Sequence, residues 1–178
     1  MIQTEKVEKF FDSIKDKDIA TYNDYWGELK PQSQGAIFRR YLFAFMSVHT
    51  SWKSNCKGYN AIKQFSKWQY EDEPQMRLWN YDTDDLFRRI KDTRVGMQNN
   101  RTNYIGKFSD AFWGNPSDYL TRNTDEGWAE WRDRLAKSIL GLGKAKTSFA
   151  IEMMFPLEAQ VVCMDTHLFQ LYGLNQSQ

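Results

Sequence analysis

Gly141 and Gly143 stand two residues apart between two long runs of helical periodicity. No other feature limits the fold as much. Glycine weakens a helix interior, so a Gly-Leu-Gly step between helical runs marks a sharp bend. The run before it carries Trp128, Trp131, Leu135 and Ile139 at helical spacing, and Asp125 and Glu126 favour its start. The run after it begins at Lys144 and reaches about Met154, where Pro156 ends it. The spacing therefore predicts a helical hairpin over about 128–154 whose backbone can approach another molecule closely. The first amides of its second helix have no partner inside that helix and point outward, which suits a phosphate.

The remaining chain reads as helix joined by short loops. Val7, Phe10, Phe11 and Ile14 recur at helical spacing, and Asp16-Lys17-Asp18 is expected to end that run. Pro31 to Gly35 reads as a linker before a buried helix from Ala36 to about Val48, carried by Ile37, Tyr41, Leu42, Phe45 and Met46. Further helices are expected over Tyr59 to Trp68, Leu86 to Lys91 behind an Asp82–Asp85 cap, Asn99 to Phe112, and Thr166 to Tyr172. Glu71 to Pro74 reads as a break and Trp113 to Pro116 as a stop. With no strand set, repeat or low-complexity segment, the expected class is all-α, with 1–178 forming one domain.

Composition narrows the functional classes. Apolar residues at 41% and charged ones at 26% describe a chain that buries a core. A net charge of +1 carries no global signature of nucleic-acid binding, so any such binding must use local patches. Lys137, Lys144 and Lys146 beside the hairpin form one candidate patch, and Lys91, Arg94, Arg101 and Lys107 another. Cys56 and Cys163 lie far apart with no CxxC pattern, and no secretory segment opens the chain, so free thiols in a bacterial or viral-host cytoplasm are expected. Two cysteines cannot supply a four-cysteine iron–sulfur cluster, and His49 and His167 have no carboxylate cluster at ligand spacing, so neither metal nor cofactor is expected. No apolar run reaches the length of a membrane span.

The chemistry-bearing residues gather late in the chain. Lys146 sits one turn into the second hairpin helix, and Phe149, Ala150 and Met153 follow at apolar spacing, which places it on the inward face. Lys144 falls nearer the exposed bend. Asp165 follows in Cys163-Met164-Asp165-Thr166-His167-Leu168-Phe169, where it suits a helix cap as well as a catalytic carboxylate. A phosphate clamp, an amine and an acid fit chemistry on a nucleic-acid sugar.

Three motifs in one order resemble those of the helix-hairpin-helix DNA glycosylase superfamily, the endonuclease III and oxoguanine glycosylase relatives. Met46-Ser47-Val48-His49-Thr50 is similar to the family's L-S-x-Q-T loop at the end of an apolar helix. Gly96-Met97-Gln98-Asn99-Asn100-Arg101-Thr102-Asn103-Tyr104-Ile105 is similar to its G-x-x-x-x-K-A-x-x-I helix start, with Arg for Lys. The hairpin followed by Met164-Asp165-Thr166-His167-Leu168-Phe169 is similar to its hairpin plus V-D-T-H-x-F. The resemblance spans about Ile37 to Leu171. It implies two small helical lobes around a cleft, in a compact member without the cluster.

The resemblance also implies a function: base excision repair by a DNA glycosylase with β-lyase (AP lyase) activity, hydrolase and lyase in one. Its partner would be double-stranded DNA holding a damaged or modified base. An oxidised purine such as 8-oxoguanine is favoured, with an oxidised pyrimidine next. Such enzymes bend the duplex and rotate the target nucleotide out of the stack. By resemblance His49 is the wedge that fills the gap, and Gly141, Gly143 and Lys144 anchor a phosphate, with Arg101 a further backbone contact. Trp52 and Phe149 are candidate walls of the base pocket. Lys146 would be the nucleophile and Asp165 its carboxylate partner, while Thr166 and His167 would orient the turn. The family's nucleophile position falls on Ala145 in an ungapped match, so either the helix starts one residue late or water attacks in place of an amine. Few residues follow Asp165 compared with relatives, so the amino-terminal helices must cover that surface or the protein must dimerise. Two rival readings are a DNA-binding or DNA-modifying protein on a glycosylase-like scaffold without base excision, and a helical adaptor.

Overall fold

The computed structural model describes residues 4–23, 29–65, 68 and 82–173. Among them are ten helices and no strand: α1 (Thr4–Ser13), α2 (Asp16–Asn23), α3 (Gln34–Ser47), α4 (Trp52–Ile62), α5 (Thr83–Asp92), α6 (Gln98–Gly114), α7 (Ser117–Leu120), α8 (Trp128–Ser138), α9 (Lys144–Met154) and α10 (Thr166–Tyr172). The all-α expectation holds. No helix among the described residues is long and apolar enough to cross a membrane.

Side-chain caps set the starts of α3, α4 and α5. The Ser33 hydroxyl accepts the Ala36 N–H (3.1 Å) ahead of α3, and the Asp82 carboxylate accepts the N–H groups of Asp84 and Asp85 (3.1 Å each) ahead of α5. Ser51 caps α4 by accepting the Ser54 N–H at 3.3 Å, so that helix begins at Trp52 and ends at Ile62, both earlier than the expected Tyr59 to Trp68. Asp16-Lys17-Asp18 opens α2 instead of closing the first helical run, because the chain breaks at Ile14 and Lys15. The expected break over 71–74 lies outside the described residues.

Ten of the fourteen residues of α3 are buried, among them Phe38, Tyr41, Leu42, Phe43, Phe45 and Met46. Each large side chain contributes about 1.5–3 kcal/mol when fully removed from water. Helices α4, α5 and α6 pack in succession, α8 packs on α9, and α3 touches α4, α6 and α9. One continuous apolar core runs through both groups, so they are not separately cored lobes. Phe38, Tyr41 and Phe108 form its aromatic centre, with Phe38 and Phe108 stacked at 5.7 Å and Tyr41 and Phe108 tilted at 4.8 Å. Many of the chain's aromatics are thus core material. Helix α1 touches α10 but buries none of its own residues.

Candidate active site

A cavity of about 790 Å³, open to solvent, gathers the first and third motif regions; none of its lining residues comes from the second, Gly96 to Ile105. Ser47, Val48, His49, Thr50 and Ser51 line it from the α3–α4 loop, Gly141, Gly143, Ala145 and Lys146 from the hairpin, and Met164, Asp165 and Thr166 from the segment entering α10. These segments are far apart in sequence. They meet because α3 lies against α9, which brings the end of one helix to the start of the other.

At the α3 end, the Ser47 hydroxyl donates to the Ala44 carbonyl and the Thr50 hydroxyl to the Met46 carbonyl, both at 2.7 Å. His49 lies between these ties with φ +51°, exposed at the cavity. A left-handed conformation costs a residue other than glycine on the order of 1 kcal/mol, a cost the surrounding contacts must hold. An imidazole is thus presented on a fixed backbone rather than packed at a helix end.

The two hairpin glycines answer to different constraints. Gly141 has φ +93°, and a Cβ built there would lie 2.2 Å from Cδ2 of Tyr104 on α6. Both the backbone and the neighbouring ring therefore require glycine. Gly143 has φ −78° and open space where a Cβ would stand. It is the N-cap residue of α9, and no side chain caps that helix. The Leu142 N–H donates to the Ile139 carbonyl at 3.2 Å, and Leu142 is buried, which fixes the bend from inside.

Helix α9 starts directly after Gly143, and both Ala145 and Lys146 line the cavity. The one-residue offset therefore does not put Lys146 outside the site. Its half-buried side chain places Nζ 5.8 Å from the Phe149 ring centroid, a cation–π distance. The Lys146 charge also reaches Cys163. Burial pushes the Cys163 thiol up to about 11; the Lys146 cation opposes the rise, while Glu152 and Asp165 add to it. The Glu152 carboxylate accepts the Cys163 N–H at 3.1 Å and is itself held above the usual glutamate range by burial.

Asp165 sits at the mouth of α10, where its Oδ1 accepts the Leu168 N–H at 3.1 Å. Cap geometry and a place on the cavity wall coexist in this residue, since it also lines the cavity. Thr166 lines it as well; the side chain of His167 lies outside the described residues.

Four expected site residues sit elsewhere. Arg101 is not a surface cation: it is 3% exposed, and its guanidinium donates to the carbonyls of Val95 (3.2 Å), Gly96 (2.8 Å) and Val48. The second basic patch therefore lacks it. Lys144 is exposed but does not line the cavity; its ammonium pairs with Asp133 of α8 at 2.9 Å and, with Arg132, holds that carboxyl below its usual range. Trp52 and Phe149 are not cavity walls either. Both rings pack on Phe43, at 5.5 and 6.0 Å, because Phe43 offers a large buried face that they cover. Val48, Thr50, Ser51 and Met164, absent from the expected site, take their place along the wall. Those between known motif residues were accessible by adjacency, whereas Glu152 gave no sequence signal. Among the described residues, no three His, Cys, Asp or Glu side chains converge to hold a metal ion. No protein-family model, curated protein or solved structure matches the chain.

Proposed function

We propose that the protein is a helix-hairpin-helix DNA glycosylase with β-lyase activity that excises a damaged base from duplex DNA, with an oxidised purine the favoured class. One observation carries this reading: the wedge loop at His49, the hairpin glycines with Lys146, and Asp165 line a single open cavity. In this reading the uncapped start of α9 at Gly143 takes a phosphate on its amides. His49 enters the space left in the stack, and the extruded nucleoside occupies the cavity.

The chemistry follows from the groups present. After giving up one proton to solvent, the Lys146 amine attacks C1′ of the deoxyribose. The bond from C1′ to the base nitrogen breaks, and the base departs with that electron pair and takes a proton. The amine's surplus proton passes to the Asp165 carboxylate, which also offsets positive charge developing on the sugar. Ring opening, with the proton on Asp165 passing to O4′, leaves a Schiff base between Nζ and C1′. Removal of a C2′ proton then expels the 3′ phosphate.

Duplexes carrying a panel of oxidised bases, treated with borohydride, test the reading. A covalent protein–DNA adduct lost in Lys146→Ala supports it. Base release without an adduct would assign the attack to water beside Ala145, which lines the same cavity. Tight binding without release would leave a binding scaffold, and absence of affinity for any duplex would reject a DNA role.

A further inference from the structure

Arg101 is spent on backbone carbonyls from two loops that are remote in sequence. Val48 belongs to the α3–α4 loop and immediately precedes His49; Val95 and Gly96 belong to the turn entering α6. Both loops carry left-handed residues other than glycine, His49 at φ +51° and Arg94 and Met97 at φ +58° and +52°. Neither loop therefore has a repeating hydrogen-bond pattern to hold it. Burial depresses the guanidinium's proton affinity, and its Nε finds no acceptor among the described atoms. A buried cation without a carboxylate partner is costly unless carbonyl dipoles solvate it, and here three do.

We infer that Arg101 is a positioning residue for DNA distortion: by gripping the Val48 carbonyl it holds the His49 backbone in the conformation that presents the imidazole to the duplex. This rests on the glycosylase reading above. The fork geometry matters, because a guanidinium bridges separate carbonyls whereas an ammonium acts from one point. Losing it should leave Lys146 and Asp165 in place, since they stand on α9 and the α10 entry. The step impaired is eviction of the base, not attack on the sugar.

The test uses the full chain and two oligonucleotide substrates: a lesion duplex with 2-aminopurine opposite the lesion, and a single strand containing an abasic site, where nothing has to be evicted. Arg101→Met should lower kcat on the duplex on the order of 100-fold, the scale of a misplaced group, and reduce the 2-aminopurine signal. Cleavage of the abasic strand should stay within about threefold. In a His49→Ala background the same change should add nothing further, because both act at one step. Should Arg101→Met not fold, Arg101→Lys carries the test, with a smaller loss still confined to the duplex. Equal losses on both substrates, additive losses with His49→Ala, or wild-type duplex rates in the arginine variants would overturn the inference. If the wild-type protein gives no 2-aminopurine change and no cleavage, the underlying glycosylase reading fails as well, a result separate from the others.

Discussion

The two hairpin glycines should fail in opposite ways when given a methyl group. At Gly141 an alanine must hold φ +93° and place its Cβ 2.2 Å from Cδ2 and 2.7 Å from Cγ of Tyr104. The left-handed backbone costs about 1–2 kcal/mol and the overlap about 1–3 kcal/mol more, unless the ring moves. A loss of about 3 kcal/mol would lower the melting temperature by about 6–12 °C for a chain of this size. Replacing Tyr104 with alanine as well should relieve the overlap but not the backbone, so the two substitutions should couple in a double-mutant cycle. At Gly143 nothing stands within 4 Å of the added methyl and the backbone is ordinary, φ −78°. Alanine is a poorer N-cap by about 0.5–1 kcal/mol, offset by about 0.4–1 kcal/mol of lost unfolded-state freedom, so stability should hardly move. The methyl does project at the helix start proposed to take the phosphate. Losing one charge-assisted amide bond, about 1.5–3 kcal/mol, weakens duplex binding on the order of 10- to 100-fold. Thermal unfolding and fluorescence anisotropy on the same two variants read both effects. Gly143→Ala binding a lesion duplex as the wild type does would refute the phosphate clamp. Gly141→Ala melting at the wild-type temperature would refute the packing argument.

Asp165→Asn keeps a residue that caps as well as aspartate does, so α10 should persist while base excision falls on the order of 100- to 1,000-fold; an active variant would reduce Asp165 to a cap. With its thiol held near 11, chiefly by burial, Cys163 should resist iodoacetamide at neutral pH and react only as the solution approaches pH 10 to 11, and rapid neutral labelling would contradict that placement. Glu152 is held above its unfolded value by burial, so the folded chain binds its proton more tightly than the unfolded one. Its contribution is most favourable below the unfolded value near 4.5 and is lost as pH rises through the elevated folded one. Glu152→Gln should therefore flatten the stability profile between those two values, and urea melts showing the same pH slope there in both proteins would oppose it.

How far the sequence reached can be seen at particular residues. The hairpin was readable because Gly141 and Gly143 punctuate two clear helical periods. The meeting of His49, Lys146 and Asp165 was readable only through three motifs in order, since no local pattern encodes a contact between α3 and α9. Arg101 was misplaced because a sequence shows a cation's charge but not which carbonyls surround it. Apolar spacing starts α4 too late because Ser51, not a periodic residue, decides that boundary. Trp52 and Phe149 are expected as walls of the base pocket, whereas each ring packs on Phe43. Tyr104 lay in plain view within the second motif, yet its role against Gly141 depends on how α6 passes the hairpin.

Mass spectrometry of the borohydride-reduced complex, after digestion of protein and DNA, addresses the nucleophile without intermediaries. A single deoxyribose-derived addition on Nζ of Lys146 should appear with the wild-type protein. The same addition on Lys144 or on any other amine, or base release that leaves every lysine unmodified, would contradict the assignment of this cavity as a lysine-dependent lyase site.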